Sequence, residues 1–405
     1  LMSSPEPRKQ LLEIFHAAIS RVNGRNCVRQ ALASVPVEGR PALIAIGKAA
    51  VAMSQGALDV LNGDIVQGLV ITKHGYEEAL PWPVLTASHP VPDESSLEAG
   101  AALLSFIDQL PQDQPVLFLL SGGASSLAEV LPEDIGLHQL QQFNEWFLAS
   151  GIDIVTGNEI RKRLSLIKGG RLAQRLYPRR VHCLTISDVP GDDPASIGSG
   201  PLVHAREFVL PRPVPDWLAG LVDSTNENRV TGSFDHVETM VVASISDAMA
   251  AAAAAARQYG YEVFADASAL AGDVMQTGPL LAQQLDRSGR GTVHVWGGET
   301  TVTLPAVPGR GGRNQSLALA VAIALAGREH QYFLAAGTDG TDGPGEDAGG
   351  LVDGDTVDRG RQSGLDAQRC LRDADAGTFL EATGDLLATG PTGTNVMDIA
   401  IGLKQ

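Results

Sequence analysis

"FLLSGGASSLAEVL", residues 118–131, starts as an apolar run. It breaks into Ser121-Gly122-Gly123-Ala124-Ser125-Ser126, and apolar residues then resume at helical spacing. The pattern predicts a buried strand that turns through bare backbone into a helix. Gly122 and Gly123 carry no Cβ, so main-chain N–H groups can approach a ligand closely. The helix that follows offers its positive end, and Ser121, Ser125 and Ser126 offer hydroxyl donors. Together these suit a phosphate or a carboxylate. A tight turn with serine N-caps uses the same residues.

The same rhythm recurs outward from this stretch. "PALIAIG" (41–47), "GLVITKHG" (68–75) and "VHCLTISDVPGDD" (181–193) read as further buried strands. Helical patterns alternate with them over 8–35, 48–61, 95–110, 135–150 and 158–177. Alternation of this kind implies an α/β fold with a mostly parallel sheet and helices on both faces, hence three layers. Between about 202 and 235 the pattern weakens into "LPRPVPDW" and "DSTNENRVTGSFD". We place a domain boundary there, giving domains 1–230 and 231–405. A second α/β series follows: "ETMVVASI", an alanine-rich helix near 246–258, "YEVFAD", "TVHVWGG" and "ETTVTL". A helix from Asn314 to about Ala326 comes next, then "QYFLAAGTDG" and "MDIAIGLK".

Composition narrows the function. The chain has 405 residues, 44% hydrophobic and 19% charged, enough for a sizeable core. A net charge of −17 argues against nucleic acid and anionic membranes as partners, though local Lys and Arg can still hold an anionic substrate. The three cysteines, Cys27, Cys183 and Cys370, fit neither a zinc spacing nor a disulfide framework, which suggests a reducing, cytoplasmic setting. No stretch approaches the ~20 apolar residues of a membrane span, and no basic-then-apolar leader opens the chain.

Ligands of open parallel sheets bind beyond the carboxyl ends of strands. Those ends carry Gly47-Lys48, Lys73-His74-Gly75, Ser121–Ser126, Ser187–Asp193, Gly297-Gly298-Glu299-Thr300 and Gly337–Gly343. Six such loops suggest a polar cleft. Lys48 stands where a helix dipole disfavours a cation, which makes sense if it meets an anion. "PGRGGRNQSLALAVAIALAG" (308–327) repeats the device, with Arg313 and Asn314 opening an almost wholly apolar helix. The guanidinium fork of Arg313 suits phosphate or carboxylate. Asp188, Glu299, Asp339 and Asp342 suit Mg²⁺, or one of them suits a general base. "DGTDGPGEDAGG" (339–350) fails the EF-hand template because Pro344 takes a ligand position. P-loop, dinucleotide, G-x-S-x-G and H-E-x-x-H signatures are absent, which weakens dehydrogenase, hydrolase and zinc-enzyme readings.

Nine ordered blocks resemble the glycerate 2-kinases built from an N-terminal Rossmann-like domain and a C-terminal MOFRL domain. They are "IGKAA" (46–50), "ASHPVPDESS" (87–96), "LSGGASSL" (120–127), "NEIRKRLSLIKGGRLA" (158–173) and "SDVPGDDPASIGSGP" (187–201). "GGETTVTL" (297–304), "GRGGRNQSLALA" (309–320), "GTDGTDGPGEDAGG" (337–350) and "GPTGTNVMDIAI" (390–401) complete the set. The resemblance implies transfer of the ATP γ-phosphoryl group to the 2-hydroxyl of D-glycerate, at a site between the two domains. It matches Lys48, Arg313 and Asp188 to the family's key lysine, arginine and aspartate.

On this reading Lys48, Arg313 and Asp188 are catalytic. Lys73, Ser121, Gly122, Gly123, Ser125, Glu299, Thr300, Asn314, Asp339, Asp342 and Asn395 bind substrate or nucleotide. Asp188 and Glu299 contact Mg²⁺. The chain departs from the family pattern at Arg163, where His is common, and at Met397, where Asn is common. The expected protein is a cytoplasmic monomer or homodimer. A hydroxypyruvate reductase and a non-catalytic organic-acid binding protein are the alternatives.

Overall fold

A computed structural model describes residues 6–150, 152, 154–205, 208–210, 214–225, 230 and 232–405. The chain divides into two units, each built on a six-stranded sheet. One unit is residues 24–243. The other is residues 244–405 together with the first helix, α1 (Glu6–Val22).

Residues 24–243 supply strands β1 (Ala42–Ile46), β2 (Gly68–Lys73), β3 (Val84–Ala87), β4 (Val116–Leu120), β5 (Val181–Ile186) and β6 (Val237–Ala243). Their order is β3-β2-β1-β4-β5-β6 and every pairing is parallel. This is the doubly wound order, in which the winding reverses between β1 and β4. Both of those strands are unbroken apolar runs buried along their whole length, as strands covered on two faces must be. The helices are α2 (Gly24–Ser34), α3 (Ala50–Leu61), α4 (Glu94–Gln109), α5 (Ala124–Leu127), α6 (Leu137–Ser150), α7 (Ile154–Arg163), α8 (Arg171–Leu176) and α9 (Asp216–Ser224). Asp93 and Ser96 close a capping box on α4. One face of α4, Ala99, Leu103 and Ile107, shares a core with Ile44, Phe118 and Cys183 and with Leu172 and Leu176 of α8. Leu43, Ala45, Leu117 and Leu119 have the opposite parity along their strands and are also fully buried, on the face that α2 and α3 cover.

The second sheet contains β7 (Glu262–Leu270), β8 (Thr292–Gly298), β9 (Gln331–Gly337), β10 (Gly349–Asp353), β11 (Leu386–Leu387) and β12 (Asp398–Lys404). Its order is β11-β10-β9-β12-β8-β7, with only the β7–β8 pair parallel. Its helices are α10 (Ile245–Gln258), α11 (Val274–Arg287), α12 (Arg313–Ala324), α13 (Thr356–Gln362), α14 (Ala367–Arg372) and α15 (Ala376–Thr383). α12 is buried all round between this sheet and its neighbouring helices, as its apolar sequence requires. α1 packs on α10 and touches β9 and β12. Arg8 fastens it, donating to Asp353 at 2.5 Å, to Asp385 at 2.8 Å and to the carbonyl of Leu351 at 2.8 Å.

Several expectations change. The helical stretch 8–35 is two helices, and they belong to different units. The division falls at Ala243/Ser244 instead of 230/231, because β6 completes the first sheet. The stretch 158–177 is interrupted after Arg163, where Gly169 and Gly170 take positive φ before α8. "ETTVTL" is not a strand and makes only a single bridge, Thr301 to Asp273. Within the weakly patterned 202–235, α9 is formed, while residues 206, 207, 211–213, 226–229 and 231 lie outside the described residues. All three cysteines are buried and outside any disulfide, and burial pushes the Cys183 thiol up to about 12.

Phe15 of α1 is fully buried. Phe15→Ala should cost about 3–5 kcal/mol. Hydrogen exchange should quicken in β9 and β12 and stay unchanged in β1 and β4. Equal loss in both sheets would contradict the assignment of α1 to the second unit.

Candidate active site

In the parallel sheet, the β1 and β4 loops meet at the point where the winding reverses. Gly47 takes φ +134°, and a Cβ there would sit 2.1 Å from Ser121 Oγ. The close approach allows three bonds. Ala49 N–H donates to Ser121 Oγ at 3.0 Å, Lys48 N–H to Gly122 O at 2.9 Å, and Ser121 N–H to Ile46 O at 3.0 Å. Ser121 is fully buried and its hydroxyl accepts across this seam. The N–H groups of Gly122 and Gly123 have no acceptor among the described residues. Gly123 has φ +87°, and a Cβ built on it would lie 3.2 Å from both Lys48 Cγ and His89 Cδ2. Lys48 and His89 thus flank a bare main-chain surface.

The hydroxyls of the next two serines are partly committed. Ser125 Oγ lies 2.8 Å from Ser199 Oγ, and Ser126 Oγ donates to Pro90 O at 2.8 Å. α5 is only four residues long, so the expected dipole of a full helix is missing and the loop relies on its own N–H groups. Lys73 ends β2 with its Nζ 5.1 Å from the ring centre of Tyr76. Asp188 follows β5, half-buried, two residues beyond Ile186. Parallel strands bring Lys48, Lys73, the Ser121 loop and Asp188 to one edge of this sheet.

In the mixed sheet, Asp398 opens β12 in register with Gly298 of β8 and Gly337 of β9. Arg313, the first residue of α12, donates to Asp398 through Nε at 2.6 Å and NH2 at 3.1 Å. It donates to Glu299 through NH2 at 2.7 Å and NH1 at 3.2 Å. These are four of the five bonds a guanidinium can donate. Burial works against its charge, but Asp398 and Glu299 outweigh it and hold Arg313 above its ordinary value. The expectation of an arginine awaiting an anion therefore changes: this guanidinium is already neutralised and fixed in direction.

Asp342 also has a task of its own. It caps α12, accepting from Asn314 N–H at 3.0 Å and Gln315 N–H at 2.8 Å. The helix N-terminus expected to take a ligand anion thus holds a carboxylate of the chain. Burial pushes Asp342 up to about 7, against the pull of those two N–H groups. Asp339 is buried and accepts from Thr341 N–H at 2.9 Å, and its charge reaches Asp398. Thr300 and Asn314 are buried, and Thr300 Oγ1 and Asn314 Oδ1 have no hydrogen-bond partner among the described residues. Asn395 is nearly buried, three residues before Asp398.

The two expected metal contacts, Asp188 and Glu299, fall on different units, and no set of three His, Cys, Asp or Glu able to hold a metal occurs among the described residues. Sequence reading missed Asp398 and His89. Asp398 had a signal, since a carboxylate opening an apolar strand is costly to bury unless paired. His89 had none beyond its place in a shared block.

The architecture defines a two-unit α/β protein whose strand-end loops present polar and charged groups for a small ligand. Comparison with known proteins specifies it. Residues 10–209 match a domain of unknown function (DUF4147), and residues 292–398 match the MOFRL family. The D-glycerate 2-kinase of Thermotoga maritima is 36% identical, over 99% of this chain and 100% of its own. A putative hydroxypyruvate reductase of Agrobacterium vitis is 40% identical over 89% of this chain and 98% of its own. The crystal structure of the glycerate kinase from Thermotoga maritima superposes with a TM-score of 0.82 at 34% identity, covering 98% of this chain and 99% of that one. The chain belongs to the glycerate 2-kinase family with a C-terminal MOFRL domain.

Asp342 sets a pH test. Its folded value lies above the ordinary carboxylate value, so the folded state holds the proton longer, and ionisation costs stability as pH rises from about 4 to about 7. Asp342→Asn does not titrate there. It should lose cap strength at pH 5, roughly 1 kcal/mol, and the deficit should shrink by pH 8. A deficit that grows with pH would overturn the assignment.

Proposed function

We propose that this protein phosphorylates D-glycerate at its 2-hydroxyl with ATP, giving 2-phosphoglycerate and ADP. The observation that carries the reading is the β1–β4 seam. A lysine side chain lies against a glycine loop with open N–H groups, at the point of a doubly wound sheet where ligands bind. The likeness of the whole chain to a protein named D-glycerate 2-kinase supports the substrate.

Phosphoryl transfer needs positioning and charge neutralisation more than covalent chemistry. Lys48 would neutralise charge on the moving phosphoryl group, with Gly122 and Gly123 N–H groups holding its oxygens. Asp188 would accept the proton of the attacking hydroxyl. Arg313, held by Asp398 and Glu299, would act as a donor of fixed direction, with its remaining N–H for substrate. Mg²⁺ normally takes one or two protein carboxylates plus phosphate oxygens, and Asp188 on the first unit or Glu299 on the second would offer such a carboxylate. Bound with ATP, it would neutralise phosphate charge. Asp339, Thr300, Asn314 and Asn395 would shape the substrate pocket of the second unit.

A hydroxypyruvate reductase is the second reading, carried by the name of the Agrobacterium vitis relative. Against it, the turn after β1, "GKAAVA", has one glycine where a dinucleotide turn needs three.

³¹P NMR of the protein with ATP, Mg²⁺ and D-glycerate should yield 2-phosphoglycerate. A 3-phosphoglycerate signal would overturn the position, and NADH oxidation by hydroxypyruvate without coupling enzymes would favour the reductase. Lys48→Ala and Arg313→Ala should each lower kcat by roughly 10²-fold or more. Asp188→Asn should abolish turnover while ATP still binds. Asp398→Asn should lower kcat with little change in KM, because it loosens Arg313 without touching substrate. Full activity in any folded variant would remove that residue from the mechanism.

A further inference from the structure

The outer edge of the mixed sheet carries a cavity that the proposed reaction does not use. β7 is the last strand in the order and pairs only with β8. Phe264 stands in register with His294, and Asp266 with Trp296. Residues two apart on a strand share a face, so these four side chains line one face of the pair. Three of them form a ring stack. Phe264 and His294 have centres 5.3 Å apart and planes at 24°, and His294 and Trp296 follow at 5.1 Å and 14°. The end of α11 lies over the inner part of the stack. Gln284 accepts from Trp296 Nε1 at 3.0 Å, and Ser288 Oγ lies 2.6 Å from His294 Nε2. Trp296 is buried as a result, while Phe264 at the sheet edge stays 48% exposed. Between helix and outer strand is an open cavity of about 350 Å³, lined by the three rings with Asp266 from the strand and Gln284 and Arg287 from the helix.

The lining decides what fits. A few hundred Å³ with aromatic walls and a few polar groups is the usual form of a small-molecule site. Burial lowers His294 below its ordinary value, so near neutral pH the stack consists of uncharged rings, which another flat ring can join. Arg287 is exposed and has no hydrogen-bonded or ionic partner among the described residues. As the last residue of α11 it complements the helix dipole, but that role does not require a place on an aromatic cavity. Asp266 accepts through Oδ1 from Ser268 N–H at 2.9 Å and Ser268 Oγ at 2.8 Å. The register of β7 shifts just after this point, and an irregular edge discourages a further strand from pairing there. A small ligand therefore suits this edge better than another chain.

We propose that this cavity binds a small heteroaromatic anion, its flat ring stacked against Phe264 and His294, a ring N–H or amino group donating to Asp266, and its acidic group paired with Arg287. The site lies within the second unit and does not depend on the kinase reading. A purine mononucleotide and an indole carboxylic acid share this chemistry, a ring with a donor edge and an acidic group.

Calorimetric titration of the full chain with AMP, indole-3-acetate and indole tests the site. Phe264→Ala removes the outer ring and Arg287→Gln removes the cation. Both residues are exposed, so both variants should fold, which thermal melts check. AMP or indole-3-acetate should bind the unaltered chain, and each variant should weaken that binding by about tenfold, the loss of one stacked ring or one charge-assisted contact. Indole, which lacks the acid, should bind about tenfold more weakly than indole-3-acetate and be indifferent to Arg287→Gln. Binding of AMP alone identifies a nucleotide as the source, and binding of indole-3-acetate alone an aromatic acid. Binding of both supports the shared chemistry. No binding of either compound, or binding that either folded variant leaves unchanged, overturns the proposal. Sedimentation velocity covers the other occupant: self-association that Phe264→Ala abolishes would mean that a second copy fills the cavity, and would overturn it as well.

Discussion

The contact between Gly47 and Ser121 governs the parallel-sheet unit. The two backbones come so close that no Cβ fits, and Ser121 Oγ takes the N–H of Ala49 across the gap. β1 and β4 run the same way and their helices leave in opposite senses, so without this seam their loops would part and a crevice of indefinite width would remain. With it, the start of α3 and the glycine turn become one surface. The backbone of Lys48 is then held by main-chain geometry, the kind of preorganisation that the proposed charge stabilisation requires.

The second unit organises its polar end by the opposite electrostatic logic. Three carboxyl groups, Glu299, Asp342 and Asp398, act on one guanidinium, and Asp339 acts on Asp398. Asp342 fills the helix N-terminus, and Asp398 and Glu299 fill the guanidinium fork. A phosphate entering here would meet a guanidinium whose fork is already taken by carboxylates. This end therefore suits a hydroxyl, or a phosphate that brings its own cation, better than a bare anion. The polar ends of the two units differ: open N–H groups and a lysine on one, an acid-rich frame with an oriented donor on the other.

Much of this was legible in the sequence, for specific reasons. β1 and β4 are unmixed apolar runs ended by glycine, so their burial and the loops after them follow from composition. Lys48, the Ser121 loop, Asp188 and Arg313 stood out as candidates because strand ends are where such folds bind ligands. What Arg313, Ser121 and Asp342 do there was not legible, since their partners lie 85, 72 and 28 residues away. The break between α1 and α2 was hidden as well. Both are amphipathic and only Asn23 separates them, so periodicity continues across a point where the chain changes unit.

Met397 shows how backbone and side chain separate as carriers of function. It holds φ +72° while buried, a conformation that costs a non-glycine residue about 1–2 kcal/mol and that asparagine tolerates better. The surroundings enforce it. Thr338 donates to the Met397 carbonyl from N–H at 3.1 Å and from Oγ1 at 2.6 Å, and Val396 N–H returns to Thr338 Oγ1 at 2.8 Å. The next residue is Asp398, whose carboxylate fixes Arg313. This chain keeps the left-handed turn at a methionine, without the asparagine that tolerates it better. The turn immediately precedes Asp398, the carboxylate at the start of β12 that accepts from the guanidinium. Such strain persists only where the surrounding bonds over-determine it, and here those bonds end at the carboxylate that orients Arg313.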